Sequence, residues 1–209
     1  MLKDYAKTFV LTTVILLLIM AIAIVMIKPT DIISPSFTFE EAQIHKNSEL
    51  KIGLKETYIY NYTANNVTLP ITFTTKPGPG CVGIELRNTE NRTSVCLRKD
   101  GTDSSKSNVT ILEPVIFMFR PWMLAVEENW QWKVISSVNA GNVVVSRGDI
   151  EFKTIGTENV SGRIAYKVET KSLEDETTVT SWIDKEKRVI LKEKGPGYEI
   201  LLINANWLN

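Results

Sequence analysis

Histidine occurs once, at His45, and cysteine twice, at Cys81 and Cys96, in a chain of 209 residues. A Ser-His-Asp triad needs an imidazole beside its nucleophile. A structural zinc site needs four ligands, and two cysteines with a distant His45 do not supply them. Neither sign of charge is in excess, with 24 Lys plus Arg against 24 Asp plus Glu. That balance gives no reason to expect a nucleic-acid partner. Phosphate-loop, dinucleotide and HExxH motifs are missing. Gly78-Pro79-Gly80 and Gly195-Pro196-Gly197 read as turns, because proline has no N–H with which to cradle an anion. Asp100-Gly-Thr-Asp103 is too short and misspaced for an EF-hand calcium loop. The expectation is a protein with no cofactor and no metal, and not an enzyme.

What the sequence does have begins with one long apolar run. Thr8–Ile27 carries no charge over 20 residues. A helix of that length spans about 30 Å, the thickness of a hydrocarbon core. Ala21-Ile22-Ala23 has the form of a signal-peptidase site, the competing reading. The run continues through Ile24–Ile27, however, which favours a retained anchor. Lys3 and Lys7 precede it and Lys28 alone follows closely, placing the N-terminus inside. The expected organisation is a cytoplasmic N-terminus (1–7), a transmembrane helix (8–27), a Pro-containing linker (28–36) and an extracytoplasmic domain (37–209) of a single-pass cell-membrane protein.

Two features suit an outside domain. Sequons stand at Asn61, Asn66, Asn91, Asn108 and Asn159, against roughly two expected from composition if the pattern is treated as random. Ordinary Asn-Thr turns are the plainer alternative. Cys81 and Cys96 lie in two strand-like runs joined by a polar turn near Asn88–Arg92. A hairpin brings them together as a disulfide in an oxidising compartment; two buried free thiols are the alternative. Sequons without a lipoprotein cysteine suggest an archaeal origin.

Beyond the linker, Thr38-Phe-Glu-Glu41 has the form of a capping box and predicts a short helix over 39–47. Alternation then dominates. Leu50, Ile52, Leu54, Tyr58, Tyr60 and Tyr62 share one parity, and Leu69, Ile71 and Phe73 another strand face. Pro70 points to an edge position. A further strand is expected near Val109–Leu112. Seven more strand-like runs lie between 130 and 205, punctuated by turn signals such as Asn139–Asn142, Arg147-Gly-Asp149 and Lys194–Gly197. The expected fold class is mainly β: after the N-terminal helix, a curved antiparallel sheet or half-open barrel with one or two short helices.

Residues 115–126, VIFMFRPWMLAV, interrupt this pattern. The run is too short to cross a membrane. It reads as core packing, as a patch that touches the membrane, or as a flap over an apolar pocket with Phe117, Phe119, Trp122, Met123 and Leu124 as the ligand-facing residues. The five tryptophans, Trp122, Trp130, Trp132, Trp182 and Trp207, read as filling a sheet core, with stacking on sugars or lining a lipid cleft as the alternatives.

Residues 150–205 resemble the end of LolA-like and RseB-like periplasmic domains, the lipoprotein carriers and sensors. Gly162 and Tyr166 match a strand of that pattern, and Trp182, Ile183 and Asp184 match its strand-to-turn element. The resemblance implies a curved sheet that holds an acyl chain or a lipoprotein segment, and it carries no catalytic residue. The leading expectation is therefore a membrane-tethered binding or sensor domain for an apolar partner, a lipid or lipoprotein. A structural or adhesive glycosylated surface protein is the alternative, and an enzyme of unrecognised type the third.

Overall fold

The computed structural model describes residues 36–41, 46–87, 92–104, 118–140 and 143–208. The expected anchor, the linker but for Ser36, His45, Asn91, Asn108, Phe117 and the strand near Val109–Leu112 lie outside those residues. The described chain is mainly β. Its strands are β1 (Ser36–Glu41), β2 (Thr57–Ala64), β3 (Val67–Gly78), β4 (Cys81–Arg87), β5 (Arg92–Leu97), β6 (Gln131–Ala140), β7 (Val143–Val160), β8 (Arg163–Ser172), β9 (Thr178–Asp184), β10 (Ile190–Gly195) and β11 (Tyr198–Ala205). They form one open sheet in the order β1-β6-β7-β8-β9-β10-β11-β2-β3-β4-β5. Every pairing with a described register is antiparallel. A short 3-10 helix, Pro121–Ala125, is the helical element among the described residues. None of these residues forms a helix long and apolar enough to cross a membrane.

Local chemistry sets the hairpins. Ala64 pairs with Val67 across Asn65 and Asn66, whose φ values are 49° and 63°. Asparagine tolerates that left-handed geometry, which matches the twist of a two-residue hairpin. Pro79-Gly80 and Pro196-Gly197 close two other hairpins, with φ of +69° and +77° at the glycines. Proline presets the first turn position and glycine supplies the positive φ at the second.

Strand parity then builds one apolar face. Ser181 pairs with Glu193, Glu193 with Ile200, Ile200 with Tyr62 and Tyr62 with Leu69. The next rows on this face run Leu202–Tyr60–Ile71 and Ala205–Tyr58–Phe73. Residues 118–126 pack on this face: Met118, Phe119, Met123, Leu124 and Val126 are fully buried and Trp122 nearly so. Backbone hydrogen bonds tie the segment down, Ile190 N–H to the Met118 carbonyl at 3.0 Å and Asn47 N–H to the Leu124 carbonyl at 3.1 Å.

The chain divides into two compact units, Phe39–Ser137 with Arg147–Asn209, and Met1–Thr38 with Val138–Ser146. The described residues of the second are all in strands. Three local expectations are corrected. Ser36–Glu41 is a strand, and residues 46–50 are not helical. A capping box initiates a helix only where a helical run follows, and here alternation and pairing prevail. Arg147-Gly-Asp149 makes no turn; β7 runs through it for 18 residues, because strand partners override a local turn preference. β3 lies between β2 and β4. Pro70 still sits where the described part of β4 gives no partner, since that pairing begins at Thr72.

Candidate functional site

An open cleft of about 230 Å³ lies between the 3-10 turn and the apolar face of β7 to β11. Trp122, Ile150, Phe152, Val179 and the Tyr198 ring supply its apolar walls, and Thr170, Ser181, Arg120 and Glu193 its polar groups. The Trp122 wall is held by aromatic packing. Its ring is 4.9 Å from Phe152 and stacks on Trp130 at 5.9 Å, with Trp132 5.1 Å from Phe152. Three of the five tryptophans thus form one rigid cluster, and one of them faces the cleft.

The polar floor is an ion pair set into an apolar sheet. Glu193 is 1% exposed although it is a carboxylate on the inner parity of β10. Arg120 donates through Nη1 to its Oε2 and through Nη2 to its Oε1, the latter at 2.9 Å. The Ser181 hydroxyl donates at 2.8 Å and the Tyr198 hydroxyl at 3.1 Å. A carboxylate has about four acceptor positions, so all are taken. Burial pushes the Glu193 carboxyl up, but the Arg120 hydrogen bonds and charge, with the two hydroxyls, outweigh it and hold the group below the usual carboxylate range. Burial, then the neighbouring Glu193 charge, pushes the Tyr198 phenol up to about 12. The floor is therefore charged, net neutral and hydrogen-bond saturated on its acidic side.

Compared with known proteins, the chain matches no family model and no curated protein.

The residues singled out in the sequence fall in several places. Of the proposed flap, Phe119, Met123 and Leu124 are core, and Trp122 both joins the core and lines the cleft. Cys81 and Cys96 form a disulfide, with Cα atoms 5.5 Å apart. Gly78 makes room for it: a Cβ there would lie 2.6 Å from Cys96 Sγ and 2.8 Å from Cys81 Sγ. Among the sequons, Asn66 and Asn159 are exposed beside hairpin turns, whereas Asn61 lies within β2 opposite Leu201 and Pro70. Asn159 Oδ1 accepts from Gly162 N–H at 3.0 Å.

Trp182 lies on the other sheet face. Lys167 and Lys192 sit 5.2 and 5.3 Å from its ring, and its indole N–H donates to Glu158 at 2.9 Å. Asp184 is fully buried. It accepts from Arg163 Nε at 2.8 Å and from the backbone N–H groups of Glu186 and Lys187. The Trp-Ile-Asp element thus ends β9 and fastens the following turn.

Ser181, Glu193 and Tyr198 were not singled out from the sequence. Their signal was parity: Leu191 and Glu193 are two apart in one strand, so an apolar face carries an acid that requires a cation. Arg120, the one charge in residues 115–126, is that cation. A larger hollow of about 590 Å³ lies by residues 49–54, 80–82 and 97–99. Its Glu49 and Lys99 are 68% and 82% exposed, so its charges sit on a solvated rim. Among the described residues no group of three or more His, Cys, Asp and Glu side chains could hold a metal ion.

Proposed function

We propose that this chain is a membrane-tethered, extracytoplasmic binding or sensor domain that takes an apolar chain into the cleft beside Trp122. The observation that carries the reading is an apolar cleft whose single buried carboxylate is already fully paired. Such a site has a fixed polar floor and hydrophobic walls, the usual composition of small-molecule pockets. It holds no free acid or base for chemistry on a substrate. The disulfide supports the outside address, since such bonds persist in oxidising compartments. The uncharged run Thr8–Ile27 supports the tether. In this reading the sheet is a half-open barrel of the LolA-like kind, its apolar face the ligand side. The matching residues support that kinship: Gly162 immediately precedes β8, Tyr166 lies within it, and Trp182-Ile183-Asp184 ends its neighbour β9.

The test is binding of an environment-sensitive apolar fluorophore to the full chain in lipid nanodiscs, with empty nanodiscs as blank. Saturable binding that is lost in Ile150→Trp, which fills the cleft, is the expected result. No binding above the blank would end this reading. It would leave the glycosylated surface protein, which the exposed sequons Asn66 and Asn159 favour.

A further inference from the structure

The two sides of the ion pair offer a ligand different things. Glu193 has spent its acceptor positions on two N–H groups of Arg120 and the hydroxyls of Ser181 and Tyr198. It has nothing left to accept a hydrogen bond from a ligand ammonium or hydroxyl. Arg120 is 22% exposed on its side chain and borders the cleft. A guanidinium carries five N–H groups, of which Glu193 takes two. The cleft therefore presents donors, and their positive charge is already cancelled at contact distance.

We infer that the cleft selects an amphiphile whose polar end is an uncharged oxygen acceptor, an ester, amide or ketone carbonyl, and discriminates against the free carboxylate of the same chain. This deepens the apolar-ligand reading and rests on it. A carboxylate at Arg120 would have to share the cation with Glu193 and bury a second negative charge beside it. Two carboxylates on one site oppose each other's ionisation, and an unpaired buried charge is costly. An ammonium would meet the like charge of Arg120 with only the neutral hydroxyl oxygens of Thr170 and Ser181 left to accept from it, since Glu193 is fully taken. A carbonyl oxygen accepts from Arg120 without displacing Glu193 and adds no charge. The volume sets the scale: about 230 Å³ is below the 300–1,000 Å³ range typical of pockets that bury a drug-sized ligand. The cleft takes the end of one chain with its carbonyl, not a whole diacyl lipid.

The experiment displaces the bound fluorophore from the full chain in nanodiscs with methyl decanoate, decanoate and decylamine at pH 7.5, against empty nanodiscs. Methyl decanoate should displace at least tenfold better than either charged compound. Glu193→Gln, which uncovers the Arg120 charge, should bring decanoate level with the ester or past it. Since Glu193→Gln can unfold the chain, the wild-type ester-to-carboxylate ratio stands as a measurement by itself. Decanoate equal to or better than the ester on wild type overturns the inference and leaves the apolar-cleft reading standing. A fluorophore that never binds overturns that reading, and the head-group selectivity with it.

Discussion

Replacing Arg120 by Met keeps an unbranched apolar stem and removes the cation that faces a carboxylate 1% exposed. Removing one partner of a buried ion pair costs about 3–5 kcal/mol, because the other charge is left uncompensated. The low end, about 3 kcal/mol, applies here: Arg120 is 22% exposed, and the Ser181 and Tyr198 hydroxyls still donate to Glu193. The pH dependence has a definite sign. In the wild type the Glu193 carboxyl is held below its ordinary value, so its stabilisation is present above the unfolded value of about 4.3. It is lost as pH falls through the folded value. In Arg120→Met burial dominates and pushes the carboxyl above the unfolded value. The penalty is then full at neutral pH and is relieved as the group protonates. The gap between the two proteins should therefore narrow from pH 7 to pH 4. Urea unfolding of the full chain in mild detergent, followed by tryptophan fluorescence, measures it. Arg120→Met with Glu193→Met should recover most of the loss, since apolar replacement of a whole buried pair is often near neutral. A single-variant loss below about 1 kcal/mol, or a gap constant with pH, would refute the claim that this pair holds the floor together.

Three further outcomes are expected. Cys81→Ser with Cys96→Ser should lower stability by about 3 kcal/mol for a loop of this length, and two freely alkylated thiols in protein from its native membrane would contradict the bridge. Trp122→Ala and Phe119→Ala should each cost about 3–5 kcal/mol as core truncations. Trp122→Ala alone should also weaken fluorophore binding, because Phe119 does not line the cleft; equal effects on binding would count against the site. Asp184→Ala should cost about 3 kcal/mol by leaving the two turn amides and Arg163 Nε without their acceptor, although Arg163 Nη2 keeps Glu186, and a loss within 0.5 kcal/mol, the size of an ordinary surface substitution, would show the turn to be held elsewhere.

The fold class was legible because alternation and turn chemistry agree. Tyr58, Tyr60, Ile71 and Phe73 show their shared face in the sequence, and Pro-Gly marks two of the hairpins where they occur. The cysteine hairpin followed from two runs of the right length. The misreadings came from short local signals that long-range pairing outweighs. Thr38-Phe-Glu-Glu41 resembles a helix start only until a strand partner is available, and Arg147-Gly-Asp149 resembles a turn only until the strand is seen to continue through it. The cleft was less legible. Its residues come from 120–122, 150–152, 170, 179–181, 193 and 198, and no sequence window contains more than a few of them. Register alone brings Ser181 opposite Glu193.

Arg120-Pro121 in the middle of an apolar run reads from sequence as a weak point, a place where a flap bends. In the structure the same arginine is a fastener. To lift residues 118–126 off the sheet, the chain must break the Glu193 pair, the Ile190–Met118 and Asn47–Leu124 backbone bonds, and the bond from Arg188 Nη1 to the Val126 carbonyl at 2.7 Å. It must also expose Phe119, Met123 and Leu124, each worth about 1.5–3 kcal/mol of burial. On the proposed apolar-ligand reading, the motion that admits a chain belongs to the other side of the cleft. There the inner face thins out through Tyr62, stacked on Tyr198 at 6.1 Å, to Leu69, which is 56% exposed. Rotation of the Tyr198 ring gives up its stack on Tyr62, its packing on Gly195 and one hydrogen bond to a carboxylate that keeps three others. Residues 118–126 are thus fastened to the sheet at both ends and in the middle, and on the proposed apolar-ligand reading the tyrosine pair is the side from which a chain would slide in.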